Sequence, residues 1–236
     1  MKLKKLNWEK IIYLFVFITL AAASAYVIVL IILSPSEAAA SEPDARTKSD
    51  YVLMLLQCIL GIFAMLLPGM LEHKINLVIP SNMMIVYAIF LYCAIYLGEV
   101  RDFYYVIPHW DTILHATSGG MLSALGFSCI VLLNKTDRVP VNLSPLFICL
   151  FAFCFAVTLG VFWEIYEYLA DGLMGLNMQK FALKDGTQLI GHAALVDTMQ
   201  DLIIDSFSAF VISAFGYISL KYKKGWVEGN LLKINH

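Results

Sequence analysis

Six runs of about 20 mostly apolar residues dominate this sequence, and each is long enough for a helix to cross a bilayer. Lipid offers no hydrogen bonds, so a spanning segment must satisfy its own backbone polar groups. Only helices and closed barrels do that. The runs are continuous rather than alternating, which selects helices. Composition agrees. The chain is 60% hydrophobic and 14% charged, where soluble domains average about 45–50% and about 25%. The fold expected is all-α, a polytopic transmembrane helical bundle treated as one integral membrane domain over 1–236.

The spans read as 11–33, 51–71, 82–97, 111–133, 146–170 and 197–220. The first follows four lysines, Lys2, Lys4, Lys5 and Lys10, and precedes Ala38-Ala39-Ala40, a faint cleavage-like site. Its apolar core exceeds the roughly 7–15 residues of a signal h-region, so it is expected to stay as an uncleaved span. Polar loops are expected at 35–50 and 134–145, and a longer loop over 171–196 contains four glycines.

Lys and Arg orient such a chain. Six spans place both termini on one side, and that side collects eleven basic residues against five. The expectation is N-in and C-in, in the cell (inner or plasma) membrane. The lipid bilayer is the implied partner. The net charge of −2 does not bear on nucleic acid, but no basic patch is interleaved with aromatics, so no nucleic-acid partner is expected. The five cysteines lie in apolar segments with no CxxC, so they read as small buried hydrophobes.

Three acidic groupings break the apolar pattern. Asp111 and His115 open span four, Glu164 and Glu167 close span five, and Asp197 and Asp201 open span six, with Asp205 deeper. Residues three or four apart share a helix face. Alternating span direction puts all three groupings at one depth on the extracytoplasmic side. A charged residue facing lipid at the helix centre costs about 2.5 kcal/mol or more, so these groups are expected to face one another, water, a cation or a substrate. Clustered carboxylates need protons or a positive partner. No Lys or Arg lies within the spans, which leaves a protonated His115, the loop residue Arg101, protons or a metal.

Plainer readings exist. Asp111 and Asp197 suit N-caps, and His115 alone suits helix packing. Glu164 and Glu167 sit at a helix C-terminal end, where the dipole disfavours acids. His109 and His192 read as loop residues, and Glu99, Asp102 and Asp171 as solvated.

The motifs DTILH, WEIYE and DTMQD resemble those of the YjdF-like (DUF2238-type) inner-membrane family, whose function is unknown. They are more remotely similar to VanZ-like membrane proteins. The resemblance covers about residues 95–220 and matches Asp111, His115, Glu164, Glu167, Asp197 and Asp201. It implies a grouped site and supplies no reaction. This chain departs from the family pattern after Gly186-Thr187-Gln188, where a longer LIGHAALV stretch precedes the last Asp pair.

Three functions compete. One is a metal-dependent enzyme on an envelope lipid, with Asp111, His115, Glu164, Glu167, Asp197 and Asp201, and more weakly Asp205, as ligands to Mg²⁺, Mn²⁺ or Zn²⁺. No residue takes an assigned catalytic role. The second is a binding or transport protein for a cation, proton or cationic amphiphile. The third is a structural or assembly protein with the cluster as polar glue.

Overall fold

The computed structural model describes residues 7–34, 48–75, 77–134, 142–183, 186–226 and 231–234. Much of the loops expected at 35–50 and 134–145 lies outside these residues. So do seven of the basic residues used for orientation, Lys2, Lys4, Lys5, Arg46, Lys135, Arg138 and Lys184.

The described chain is helical apart from one two-residue strand pair and short bridged turns. Its long helices are α1 (Trp8–Leu33), α2 (Lys48–Ile75), α3 (Ser81–Leu91, continued by a π-helical stretch Tyr92–Val100), α5 (Trp110–Asn134), α6 (Pro145–Met174) and α7 (His192–Lys221). A single turn, α4 (Phe103–Val106), precedes α5. Six helices are long and apolar enough to cross a membrane. Large apolar side chains such as Leu150, Phe162, Phe207, Phe210 and Phe215 point outward, as expected where lipid is the solvent.

The chain forms two compact units. The first is Met1–Trp110 with Lys233–His236, and the second is Asp111–Leu232. In the first, α1, α2 and α3 close on Val16, Leu20, Met65, Ala88 and Leu91. Pro68 lies inside α2 and has no N–H to offer the Ala64 carbonyl four residues back. Tyr87 of α3 donates its hydroxyl to that carbonyl at 2.9 Å, and Tyr13 of α1 donates to the next one, Met65. The proline therefore frees the Ala64 acceptor, and with the adjacent Met65 carbonyl it ties three helices together. Strand β1 (Leu77–Val78) pairs antiparallel with β2 (Lys233–Ile234) in the same unit.

The second unit packs α5, α6 and α7 around Phe127, Ile130, Val131, Ile148, Cys149 and Ala152, with Leu231 added from the tail. Helix α6 starts on a Ser144 cap, whose hydroxyl accepts from Phe147 N–H at 3.2 Å, and Pro145 occupies its first turn. It ends at Gly175, which takes the left-handed conformation at φ 66°. Buried serines stitch α5 to α7. Ser123 donates to the Ala209 carbonyl at 3.1 Å and so must accept from Ser213 at 2.9 Å. Ser208 donates back to the Ala116 carbonyl. Such bonds suit helices that approach closely through small residues.

Candidate functional site

Helix α5 begins, α6 finishes and α7 begins at one end of the second unit, so the acidic residues of all three helices converge there. His115 lies at the centre and is buried. Its Nδ1 stands 3.3 Å from Asp205 Oδ2, and its Nε2 stands 3.6 Å from Asp201 Oδ2 and 3.8 Å from Asp111 Oδ1. Asp111 is one helical turn before His115, while Asp201 and Asp205 are one turn apart on α7.

Asp205 is buried where three helices meet. Its other oxygen stands 3.3 Å from the Ser118 hydroxyl, whose single proton is shared with the His115 carbonyl at 2.9 Å. A Cβ added at Gly119 of α5 would stand 2.7 Å from the Asp205 carbonyl oxygen and 2.9 Å from its Cα. A Cβ added at Gly160 of α6 would stand 2.8 Å from Asp205 Oδ2. Gly119 is thus required for the backbone approach of α7, and Gly160 leaves room for the carboxylate beside the imidazole.

The positive partner is Lys180, from the α6–α7 connection. Its ammonium bridges Asp111 of α5 and Asp197 of α7, reaching Asp197 Oδ1 at 2.9 Å. Reading the spans alone left only Arg101, His115, protons or a metal for this role. The loop supplies it because it folds back over the helix ends. Lys180 itself takes φ 46°, in the left-handed region. Burial pulls its pKa down, but the Asp111 and Asp197 charges outweigh that and hold the ammonium above the ordinary lysine range.

The loop is built to present that lysine. Asp171, expected to be solvated, is buried. Helix α6 runs past residue 170 to Met174, so Asp171 lies on the same stripe as Glu164 and Glu167. Its carboxylate accepts from the backbone N–H groups of Met178 at 2.7 Å and Gln179 at 3.0 Å. Asn177 and Ala182 exchange two bonds, at 2.7 and 2.9 Å. Gln179 donates to Thr198 Oγ1 at 2.9 Å and to the Glu164 carbonyl at 3.5 Å. Glu99 and Asp102, also expected to be solvated, are half-buried in the first unit.

The remaining acids differ from one another. Glu167 accepts from Trp163 Nε1 at 2.9 Å. Glu164 is buried, and neither of its carboxylate oxygens makes a close hydrogen bond among the described residues, although the side chains of Gln179 and Thr198 face it. Asp197 Oδ2 and Asp201 Oδ2 are unpartnered as well. Asp197 is not a cap. Helix α7 begins at His192, with Gly191 at the N-cap, because the HAALV part of the longer stretch is helical.

Asp111, His115 and Asp201 can each offer a ligand atom, with all three atoms within 4.8 Å of one another. Ligands on a tetrahedral ion about 2.0–2.2 Å away are roughly 3.3–3.6 Å apart. The two separations from Nε2, 3.6 and 3.8 Å, lie close to that spacing, and the two carboxylate oxygens are within 4.8 Å of each other. Three protein ligands with a fourth position open is the pattern of catalytic zinc sites. Glu164, Glu167 and Asp197 stand outside this triad.

The family model described as "Predicted membrane protein (DUF2238)" matches residues 12–222. The chain belongs to the DUF2238 family. The match takes in both units and every residue of the site. The chain is also similar to an uncharacterized protein of Thermotoga maritima, 27% identical over 139 residues. That alignment covers 58% of this chain and 62% of the relative's length. No solved structure matches the chain.

Proposed function

We propose that this DUF2238 protein holds a divalent metal ion at Asp111, His115 and Asp201 and uses it as a metal-dependent enzyme acting on an envelope lipid. The observation that carries the reading is the triad itself, three ligand atoms within 4.8 Å contributed by two helices. Its closeness to tetrahedral spacing favours Zn²⁺, with Mn²⁺ and Mg²⁺ as the alternatives. Such an ion polarises a phosphoryl or carbonyl oxygen, or lowers the pKa of bound water. Asp205 is then a positioning residue. It fixes the imidazole so that Nε2 faces the ion, in the carboxylate–histidine–metal arrangement. Lys180 holds one oxygen of Asp111 and leaves the other for the metal. With basic residues weighted to the opposite loops, the site opens on the extracytoplasmic side, at headgroup depth.

The test is metal analysis of the full chain purified in detergent, followed by thermal unfolding with added Zn²⁺, Mn²⁺ or Mg²⁺. About one ion per chain is expected, lost in His115→Ala and Asp201→Asn. A metal-free preparation whose unfolding ignores all three ions would remove the reading.

One observation favours a second reading, cation or proton passage. The polar line of α5 and α7 continues inward from Asp205 through Ser118, Ser123 and Ser213. Proteoliposome flux measurements separate the two, because the enzyme reading expects no cation uptake.

A further inference from the structure

Glu164 is the one acid of the cluster with both carboxylate oxygens lacking a close hydrogen bond among the described residues, although the Gln179 and Thr198 side chains face it. Trp163 donates to Glu167, Ser118 to Asp205, Lys180 to Asp111 and Asp197, and His115 Nε2 faces Asp201. Glu164 is only 5% exposed, and neither of its carboxylate oxygens makes a close hydrogen bond, with the Gln179 amide and the Thr198 hydroxyl as the polar side chains that face it. A buried carboxylate in that state is costly and calls for a partner.

The unmet acceptors belong to one seam. Gln179 bonds the Glu164 carbonyl on α6 and Thr198 on α7, so Glu164 and Asp197 flank the same α6–α7 junction under the loop. Asp197 Oδ2 is unpartnered there too. With Asp201 Oδ2 given to the ion, three acceptor atoms remain, Glu164 Oε1 and Oε2 and Asp197 Oδ2.

The chemistry of that set is specific. A primary ammonium carries three N–H donors. A quaternary ammonium has none. The described groups that gather within a metal's reach are Asp111, His115 and Asp201, a triad that leaves Glu164 out. Lys180 shows the preference directly, because its ammonium already lies between Asp111 and the other oxygen of Asp197.

We propose that Glu164 and Asp197 form a recognition site for the primary ammonium group of a ligand, in the α6–α7 seam beside the metal triad. The inference deepens the envelope-lipid reading by naming a substrate class, and it rests on the metal only for the assignment of Asp201. The amine is that of an aminophospholipid headgroup or of a soluble amine, and the same site serves both.

The full chain is placed in phosphatidylcholine nanodiscs, whose headgroup offers no N–H, and titrated with phosphatidylethanolamine or with free ethanolamine. Occupancy is read by native mass spectrometry, with and without chelator. Saturable binding of phosphatidylethanolamine is expected, stepwise loss on N-methylation of the headgroup, and about a tenfold weakening in Glu164→Gln. Binding of ethanolamine as tight as that of the lipid, and equally dependent on Glu164, supports the site with a soluble amine as its ligand. If Glu164→Gln does not fold, Asp197→Asn and the wild-type methylation series decide. Equal retention of ethanolamine and choline headgroups, or wild-type affinity in a folded Glu164→Gln protein, overturns the proposal. Metal-loaded protein indifferent to headgroup keeps the metal reading and removes this one. Protein that takes up no added metal yet still selects the amine does the reverse.

Discussion

Asp205 Oδ2 meets His115 Nδ1 at 3.3 Å, and the opposite edge of the same imidazole faces Asp201 and Asp111. A histidine held at one nitrogen by a carboxylate presents the other in a fixed tautomer and orientation. Asp205→Ala should therefore weaken metal binding by about 10–100-fold while leaving the triad in place. Asp205→Asn keeps an acceptor for Nδ1–H and should lose less. Zinc titrations of the two variants check this ordering. Equal affinities for wild type and Asp205→Ala would mean that Asp205 does not position the histidine.

The same aspartate sets a packing prediction. Gly119→Ala drives a methyl into the Asp205 backbone at 2.7–2.9 Å, and backbone has little room to yield. A cost of about 1–3 kcal/mol is expected, as for overpacked cores. Gly69→Ala, in α2, is the control, since nothing lies within 4 Å of its added Cβ. That change should be neutral or stabilising by up to about 1 kcal/mol, because alanine favours the helix. Thermal unfolding in detergent compares the two. Similar midpoints would place Gly119 outside the helix crossing.

Asp171 makes a prediction about the loop. Its two oxygens each take a backbone N–H, from Met178 and Gln179. Asp171→Asn keeps one acceptor and removes the charge, so one amide loses a charge-assisted bond of about 1.5–3 kcal/mol. Hydrogen exchange at Met178 and Gln179 should speed up, while exchange in the middle of α6 stays unchanged. Unaltered protection of both amides would contradict the contact.

The spacing of acids at three and four residues made the grouping legible from sequence, since alternation of span direction brings the start of one helix beside the end of the previous one. What sequence missed came from the connection between α6 and α7. Lys180 lies 69 residues from Asp111, and no periodicity links a mid-loop lysine to a helix start that distant. Asp171 reads as solvated because the apolar run ends at residue 170, whereas the helix continues to Met174. The 164–167–171 spacing already marked one more turn of the same face. The division of labour around His115 was also invisible, because spacing reports a shared face and not which nitrogen meets which carboxylate. Asp197 looked like a cap because the LIGHAALV stretch reads as loop, whereas Ala193, Ala194 and Leu195 are good helix formers and the helix starts before them at His192.

Lys180 joins α5 to α7 through Asp111 and Asp197, and its removal leaves two partly buried carboxylates facing each other without a cation. Breaking a fully buried pair costs about 3–5 kcal/mol. These side chains keep 21–28% of their exposure, so solvent screening reduces the expected loss for Lys180→Met to about 1–3 kcal/mol. The loss should shrink when Asp197→Asn is added, because the second change removes a charge the first had stranded. Groups sharing one network couple in this way, by about 0.5–3 kcal/mol. Lys180→Arg keeps the charge but spreads it over a wider planar fork, so it should recover part of the stability. A double-mutant cycle on unfolding free energies reads all three effects. Strict additivity of Lys180→Met and Asp197→Asn would mean that the ammonium does not bridge the helices.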